Sequence, residues 1–355
     1  MGGPLHRMPD RDRSRAAVTG TIEHDGRAGL VSLDAIRAAA ETLHGVATRT
    51  PLVPFGRPDQ RRFLKAESLQ PIGAFKLRGA YVAVASLSAD DRARGIISYS
   101  SGNHAQGVAR AARLFGVPAV IVMPSDSPSL KRARVEADGA EIVIVGTASD
   151  ERQRVAEALA AERGLSIIPP YDDERIIAGQ GTIGLELIAD LTDLAVVLVP
   201  VGGGGLASGV AAAVRSLRPD VRVIGVEPEL AADARDSLER GEIVRWPAEL
   251  VSRTVADGTR TQALGRHTFA HLHAYLDRIV TVSEVEIVAG VRLAAERGRL
   301  VVEPSGALGI AAMAFHGRDV GLDRETGAIV AVVSGGNVDP ELYRDYLVAP
   351  IPPEG

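Results

Sequence analysis

The chain has 355 residues, more than one ordinary hydrophobic core accommodates, so two closely packed units are expected. Apolar residues make up 46%, charged residues 24%, and the net charge is −5. That balance fits a soluble globular protein and gives no electrostatic reason to expect nucleic acid or a membrane surface as partner. There is no cysteine, which excludes disulfides, thiolate catalysis and cysteine metal sites.

Residues 1–28 are rich in Arg, Asp, Gly and Pro and lack the apolar core of a signal peptide. They read as a disordered leader, with folded structure beginning near Leu30. No apolar run approaches the roughly 20 residues that span a bilayer. From Gly95 the chain alternates short β-branched runs with longer helical stretches. Strands are expected at Gly95–Tyr99, Ala119–Met123 and Glu141–Val145, and helices at Ala105–Phe115, Leu130–Asp138 and Asp150–Arg163. A second series follows Asp173: helix Gly181–Leu191, strand Ala195–Val201, helix Leu206–Leu217 and strand Val221–Val226. Helices Ser283–Arg299 and Gly306–Phe315 and strand Ala328–Val333 complete it. Repeated strand–helix units with short links predict an α/β fold whose parallel sheets are covered by helices on both faces. Two such units place a ligand cleft at the carboxyl ends of their strands.

Four elements in this frame carry chemistry. Gly202, Gly203, Gly204 and Gly205 follow the apolar strand and open a helix. Without Cβ atoms, successive backbone N–H groups can turn inward, and the helix N-terminus adds positive character, so a phosphate is the natural guest. No Lys-Ser/Thr follows and the spacing is not G-x-G-x-x-G, which excludes a nucleotide P-loop and a dinucleotide fingerprint. The alternative is a tight strand-to-helix turn. Lys76 stands between Phe75 and Leu77 at the start of a helical stretch, as a desolvated amine would. Such a Lys can have a lowered pKa and form a Schiff base with an aldehyde cofactor; the alternative is a solvated surface residue. Ser100, Ser101, Gly102, Asn103 and His104 follow the first strand and give a cluster of polar donors or a plain helix cap. Ser334, in Ser334-Gly335-Gly336-Asn337, ends a buried strand and faces the cleft or makes an ordinary turn.

Together, and in this order, these elements resemble fold type II (tryptophan synthase β-like) pyridoxal 5′-phosphate (PLP) enzymes, in the serine/threonine dehydratase and serine racemase branch. The branch is marked by Phe75-Lys76-x-Arg78-Gly79-Ala80, Ser100-Ser101-Gly102-Asn103-His104 and Ala178-Gly179-Gln180-Gly181-Thr182. The resemblance runs from about Leu30 to the C-terminus. It implies a two-domain α/β fold with the active site in the interdomain cleft. The large PLP-binding domain would comprise residues 29–88 and 169–355, and the small substrate-side domain residues 89–168. It implies that Lys76 carries PLP, that Gly202, Gly203, Gly204, Gly205 and Leu206 hold its phosphate, and that Phe75 packs near the ring. Asn103 would bond the ring hydroxyl and Ser334 would face the pyridine nitrogen. Ser100, Ser101, Gly102 and Asn103 would grip the substrate carboxylate. Glu227, Ala231 and Asp233 match a cation site of the branch, suited to Mg²⁺, Ca²⁺ or Mn²⁺; the plain alternative is an acidic surface loop.

The activity so implied is β-elimination and deamination of a small hydroxy amino acid, L-threonine or L-serine, to a 2-keto acid and ammonia. Ser101 can act opposite Lys76 across the ring, as in serine racemases, so racemisation is an alternative, as is threo-3-hydroxyaspartate ammonia-lyase activity. A non-catalytic PLP-binding protein is the alternative of another class. Ala74 stands where many relatives carry Ser. The chain ends at Gly355, soon after Asn337, without the regulatory domain of biosynthetic threonine dehydratases, so no isoleucine feedback is expected. The resemblance also implies a cytoplasmic homodimer. His267, His271 and His273 have suggestive metal spacing but no carboxylate neighbours, and a solvated helix is expected there.

Overall fold

The computed structural model describes residues 29–127, 129–146, 149–321 and 327–354; the leader assigned to residues 1–28 lies outside them. Ten strands are described: β1 Leu52–Pro54, β2 Arg62–Ala66, β3 Ile96–Tyr99, β4 Ala119–Pro124, β5 Glu141–Val145, β6 Ser166–Ile167, β7 Leu194–Pro200, β8 Arg222–Pro228, β9 Arg278–Val282 and β10 Ala328–Val333. They form a six-stranded sheet in the order β1-β2-β10-β7-β8-β9 and a four-stranded sheet in the order β5-β4-β3-β6. Every pairing is parallel except β1 with β2.

The long apolar strands sit where apolar runs must. β10 and β7 occupy the middle of the larger sheet, with all six residues of β10 buried, and helices cover both faces. β5, at the edge of the smaller sheet, turns Glu141 and Ile144 to solvent. No helix among the described residues is long and apolar enough to cross a membrane.

Two helices differ from the sequence expectation. The one expected from Gly181 begins at Glu174, because the Asp173 side chain caps it through the N–H groups of Arg175 and Ile176. Its glycines then serve packing. A Cβ on Gly179 would stand 2.6 Å from Gly79 Cα, and one on Gly184 2.8 Å from Ala213 Cβ. The Ala178–Thr182 motif is thus the contact face between helices Lys76–Ala85, Glu174–Asp190 and Gly205–Leu217. The helix expected over Ser283–Arg299 is α-helical only over Glu284–Leu293. It relaxes into a π turn at Ala294–Gly298 and stops at Arg299, which has φ 56°. β2 was not legible in the sequence, because Arg62 and Lys65 break its apolar pattern. That lysine is fully buried, and its amine is bonded to Glu186 (2.5 Å) and to the Thr50 carbonyl (2.6 Å).

Candidate active site

Lys76 is the first residue of helix Lys76–Ala85. The turn before it is tied to the end of β10: the Phe75 N–H donates to the Ser334 carbonyl (3.0 Å), and Ala74 bridges Gly335. The Lys76 amine donates to the Pro170 carbonyl at 2.7 Å and lies 5.2 Å from the Phe75 ring centroid. Burial brings its pKa down to about 8. The positive helix end works in the same direction. Two residues on, Arg78 enters a buried ionic network. It makes paired 2.8 Å bonds to Glu67, a 2.7 Å bond to Glu186 and a 3.1 Å bond to Thr182. This network fixes the start of the helix and with it the root of the Lys76 side chain.

A cavity of about 260 Å³ opens around this amine. Phe75, Lys76, Ser100, Ser101, Gly102, Asn103, Gly202, Gly203, Gly204, Gly205, Leu206 and Ser334 all line it. The structure therefore gathers every residue assigned above to cofactor or substrate into one space. β7 delivers the glycine turn at its carboxyl end. Gly204 caps helix Gly205–Leu217 with φ 87°, a conformation that favours glycine, and a Cβ on Gly203 would overlap the Tyr171 ring. The first N–H groups of that helix have no intrahelical acceptor and point out of its end. A phosphate fits this cradle, and a buried amine in the same cavity fits an aldehyde: the residues present suit PLP.

The third wall comes from the smaller sheet. β3 ends at Tyr99, and Ser100–Gly102 lead into helix Asn103–Phe115, where Gly102 N–H donates to Ser100 Oγ (3.3 Å). His104 is buried. Its Nε2 lies 3.1 Å from the Ile168 carbonyl, so that nitrogen carries the proton. Burial, reinforced by the Lys76 charge, drives its pKa down to about 3, and the imidazole stays neutral. The Ser334 hydroxyl donates to the Ser305 carbonyl at 3.3 Å.

Several lining residues were not found by reading the sequence. Tyr99, Tyr171, Lys131, Arg152, Arg245, Asp257, Arg260 and Glu303 also face the cavity. Lys131 is ion-paired with Asp257, and its Nζ stands 3.4 Å from where a Gly102 Cβ would be. In sequence it is one of several cations on an ordinary-looking helix. Glu303 did leave a signal: it is the single ionisable residue in the run Leu300–Phe315.

The acidic trio lies elsewhere. Glu227, Ala231 and Asp233 are buried but do not line the cavity, so the plain surface-loop alternative does not hold. Glu227 accepts N–H bonds from Ala234 (3.1 Å) and Arg235 (2.8 Å). Both Asp233 carboxyl oxygens are buried without a hydrogen-bond partner. Burial pushes Asp233 up to about 8, and burial with the facing Asp233 charge raises Glu227. Two neighbouring buried acids, one of them with both oxygens orphaned, suit a hard cation completed by a backbone carbonyl and water. Among the described residues no three His, Cys, Asp or Glu side chains gather, so such a site could not be all side chain.

The histidine cluster is not a metal centre, and its helix, Arg266–Tyr275, is not solvated all round. His271 is fully buried. Its Nε2 accepts from the Val31 N–H (2.8 Å) and its Nδ1 donates to the His267 carbonyl (2.6 Å). Both nitrogens are occupied, Nε2 in pinning the start of the described chain and Nδ1 within its own helix.

Known proteins resemble this chain in fold and sequence. Residues 44–335 match the family model described as pyridoxal-phosphate dependent enzyme. The chain is 42% identical to an L-threo-3-hydroxyaspartate ammonia-lyase of Saccharomyces cerevisiae, over 89% of this chain and 94% of that protein. It is 38% identical to a serine racemase of Schizosaccharomyces pombe, over 90% and 98%. Among solved structures, a threonine deaminase from T.th. superposes with a TM-score of 0.80 at 45% identity, covering 87% of this chain and 99% of that one.

Proposed function

The chain belongs to the fold type II family of pyridoxal-phosphate dependent enzymes, and from that premise we propose that it removes the β-hydroxyl and then the amine of a small 3-hydroxy amino acid. The products would be a 2-keto acid and ammonia, and L-threonine and L-serine are the substrates of first choice. The observation that carries this reading is the partly buried Lys76 amine sharing one cavity with the tetraglycine cradle and Ser334.

PLP supplies an electron sink that makes the proton on the substrate Cα labile. The protein does the rest. Phe75 and the glycine turn hold the cofactor, and Ser100–Asn103 orient the substrate carboxylate. The Lys76 amine would take up the Cα proton of the bound amino acid. Its lowered pKa keeps a useful fraction of it uncharged near neutrality. Ser334 offers the pyridine nitrogen a neutral hydroxyl rather than a carboxylate. That weakens the sink and lets loss of the β-hydroxyl compete with other fates. Orienting the substrate through its carboxylate at Ser100–Asn103 would be the positioning part of the rate.

A second reading is favoured by one observation. The cavity lining carries five cationic side chains, Lys76, Lys131, Arg152, Arg245 and Arg260, against two acidic ones, Asp257 and Glu303. The cofactor phosphate would answer part of that excess. A lining of this sign suits a substrate with a second carboxylate, and relatives named for L-threo-3-hydroxyaspartate are 42% and 41% identical. The test is PLP-loaded protein given L-threonine, L-serine, D-serine and L-threo-3-hydroxyaspartate, with keto acid and enantiomer both measured. Keto acid from threonine or serine supports the first reading, and a strong preference for hydroxyaspartate supports the second. Inversion of serine without keto acid makes it a racemase. No product from any of them defeats all three.

A further inference from the structure

Glu303 is a carboxyl that the chemistry above does not use, yet it is 2% exposed and lines the active-site cavity. It is the residue before helix Pro304–Phe315, a place where a side chain commonly caps the helix. Its side chain makes no cap bond. It turns instead to Asn103, whose Nδ2 donates to Glu303 Oε1. The other carboxyl oxygen, Oε2, is buried without a hydrogen-bond partner.

Asn103 is gripped at both ends. While its Nδ2 donates to Glu303, its Oδ1 accepts from Asn337 Nδ2 at 2.8 Å. Asn337 is anchored by donating to the Ile72 carbonyl at 2.9 Å and by accepting at Oδ1 from Arg134. The amide of Asn103 can therefore stand only one way round, with NH₂ toward the carboxylate, and its second N–H hydrogen is left for a guest in the cavity. The space is closed behind: a Cβ on Gly335 would collide with Glu303 Oε1 and lie 3.1 Å from Asn103 Nδ2.

We infer that Glu303 is a positioning residue of the active site, which acts through the Asn103 amide to set the hydrogen bond offered to the cofactor ring oxygen and to make that bond depend on its own charge. It is a positioning residue and not a catalytic one, because the role inferred is exerted on Asn103. An ionised carboxylate holds the amide by a charge-assisted bond, roughly twice as strong as a neutral one. Once protonated, Glu303 loosens its grip and the ring oxygen loses an oriented donor.

The surroundings put this change in a working range. Burial raises the Glu303 pKa to about 7, with Asp257 adding to the rise and Lys131, the Asn103 bond and Arg134 opposing it. The charged groups acting on it come from two elements, Lys131 and Arg134 from helix Ser129–Ala137 and Asp257 from the turn Asp257–Thr259, and Arg260 just beyond acts on Lys131. The cluster spans both sheet units, since Lys131 and Arg134 follow β4 while Asp257 and Glu303 belong to the six-stranded side.

The inference rests on PLP binding and not on the choice of substrate, so it is tested without substrate. In PLP-loaded protein, the ratio of the two near-ultraviolet and visible absorbance bands of the cofactor reports protonation at its ring oxygen. In the wild type this ratio should titrate with a midpoint at about pH 7. Glu303→Gln should remove the titration, and Glu303→Asp should restore one. Lys131→Gln should move the midpoint up and Asp257→Asn should move it down, each by about one pH unit, a tenfold change in proton affinity. A purely structural role would not produce shifts of opposite sign. A yellow wild-type protein with a flat ratio, or Glu303→Gln with an unchanged midpoint, would overturn this inference alone. A colourless wild type would overturn the cofactor reading with it.

Discussion

Lys76 is an ammonium group placed where an ammonium group is poorly tolerated: partly buried, at the positive end of a helix and with a single carbonyl as partner. That placement is what makes it reactive, and it gives two expectations. Lys76→Ala should leave no borohydride-reducible PLP adduct and should lower the elimination rate by about 10³-fold or more, read as kcat. The rate at which added PLP forms its adduct with cofactor-free protein should depend on pH with a definite sign. Only the uncharged amine attacks, so the rate rises about tenfold per unit while pH approaches about 8 from below, and it levels off above. A flat profile would mean the amine is not desolvated. Lys76 was legible in the sequence because its immediate neighbours, Phe75 and Leu77, are apolar. Glu303 was visible only as an ionisable residue among apolar ones. Its purpose was not, because the partner that explains it, Asn103, is 200 residues away.

The turn Gly202–Gly205 joins the central strand β7 to a buried helix, and its shape is set by contacts on both sides. Gly204→Ala meets two obstacles. The left-handed backbone at φ 87° costs a residue with Cβ roughly 1–2 kcal/mol, and the new methyl would approach Leu264 and Thr268 at 2.9 Å. The expected result is a lower melting temperature together with PLP affinity weakened by about tenfold or more, read by cofactor titration. A variant that loses stability but binds PLP as before would show the turn to be only a turn. The buried network around helix Lys76–Ala85 behaves differently, since removing one charge strands the others. Glu67 is fully buried and its pKa is held low, because the Arg78 and Lys65 charges and the bonds from Arg78 and Thr50 overcome the cost of its burial. Glu67→Gln should therefore destabilise by about 3–5 kcal/mol in denaturant unfolding, by leaving part of the Arg78 charge unanswered. Strands and helices with clean apolar periods were legible at this level. β2 was not, because it contains a lysine paired with Glu186 from a distant helix. The helix from Glu174 was read short, because its start depends on a cap and its three glycines look like breakers until their packing partners are seen.

The two buried acids Glu227 and Asp233 bear on the stability of the chain as a unit. Asp233 titrates at about 8 when folded and at 3.8 in the reference unfolded state, so between those values the folded form binds the extra proton. Its contribution to stability is then fully present below about pH 4, falls as pH rises toward about 8, and changes no further above. A divalent cation bound between these acids would compete for the same oxygens and should reverse the loss. Mg²⁺ or Ca²⁺ should raise the melting temperature, and by more at about pH 8 than at about pH 6. Asp233→Asn should abolish the difference, and an equal gain in that variant would remove the cation site from these residues. The amino-acid order fixed what is local. Alternating apolar runs and helical stretches made parallel layers unavoidable, and the lysine, glycine and serine motifs carried their own chemistry because each is built from neighbours in the chain. Folding decided what depends on distant meetings. Lys131 reaches Asp257 across 126 positions and Arg134 reaches Asn337 across 203. No local pattern encodes such pairs, because a charge on a helix looks the same whether it meets water or a partner. Only burial, which strips the water away, turns those side chains into a connected set.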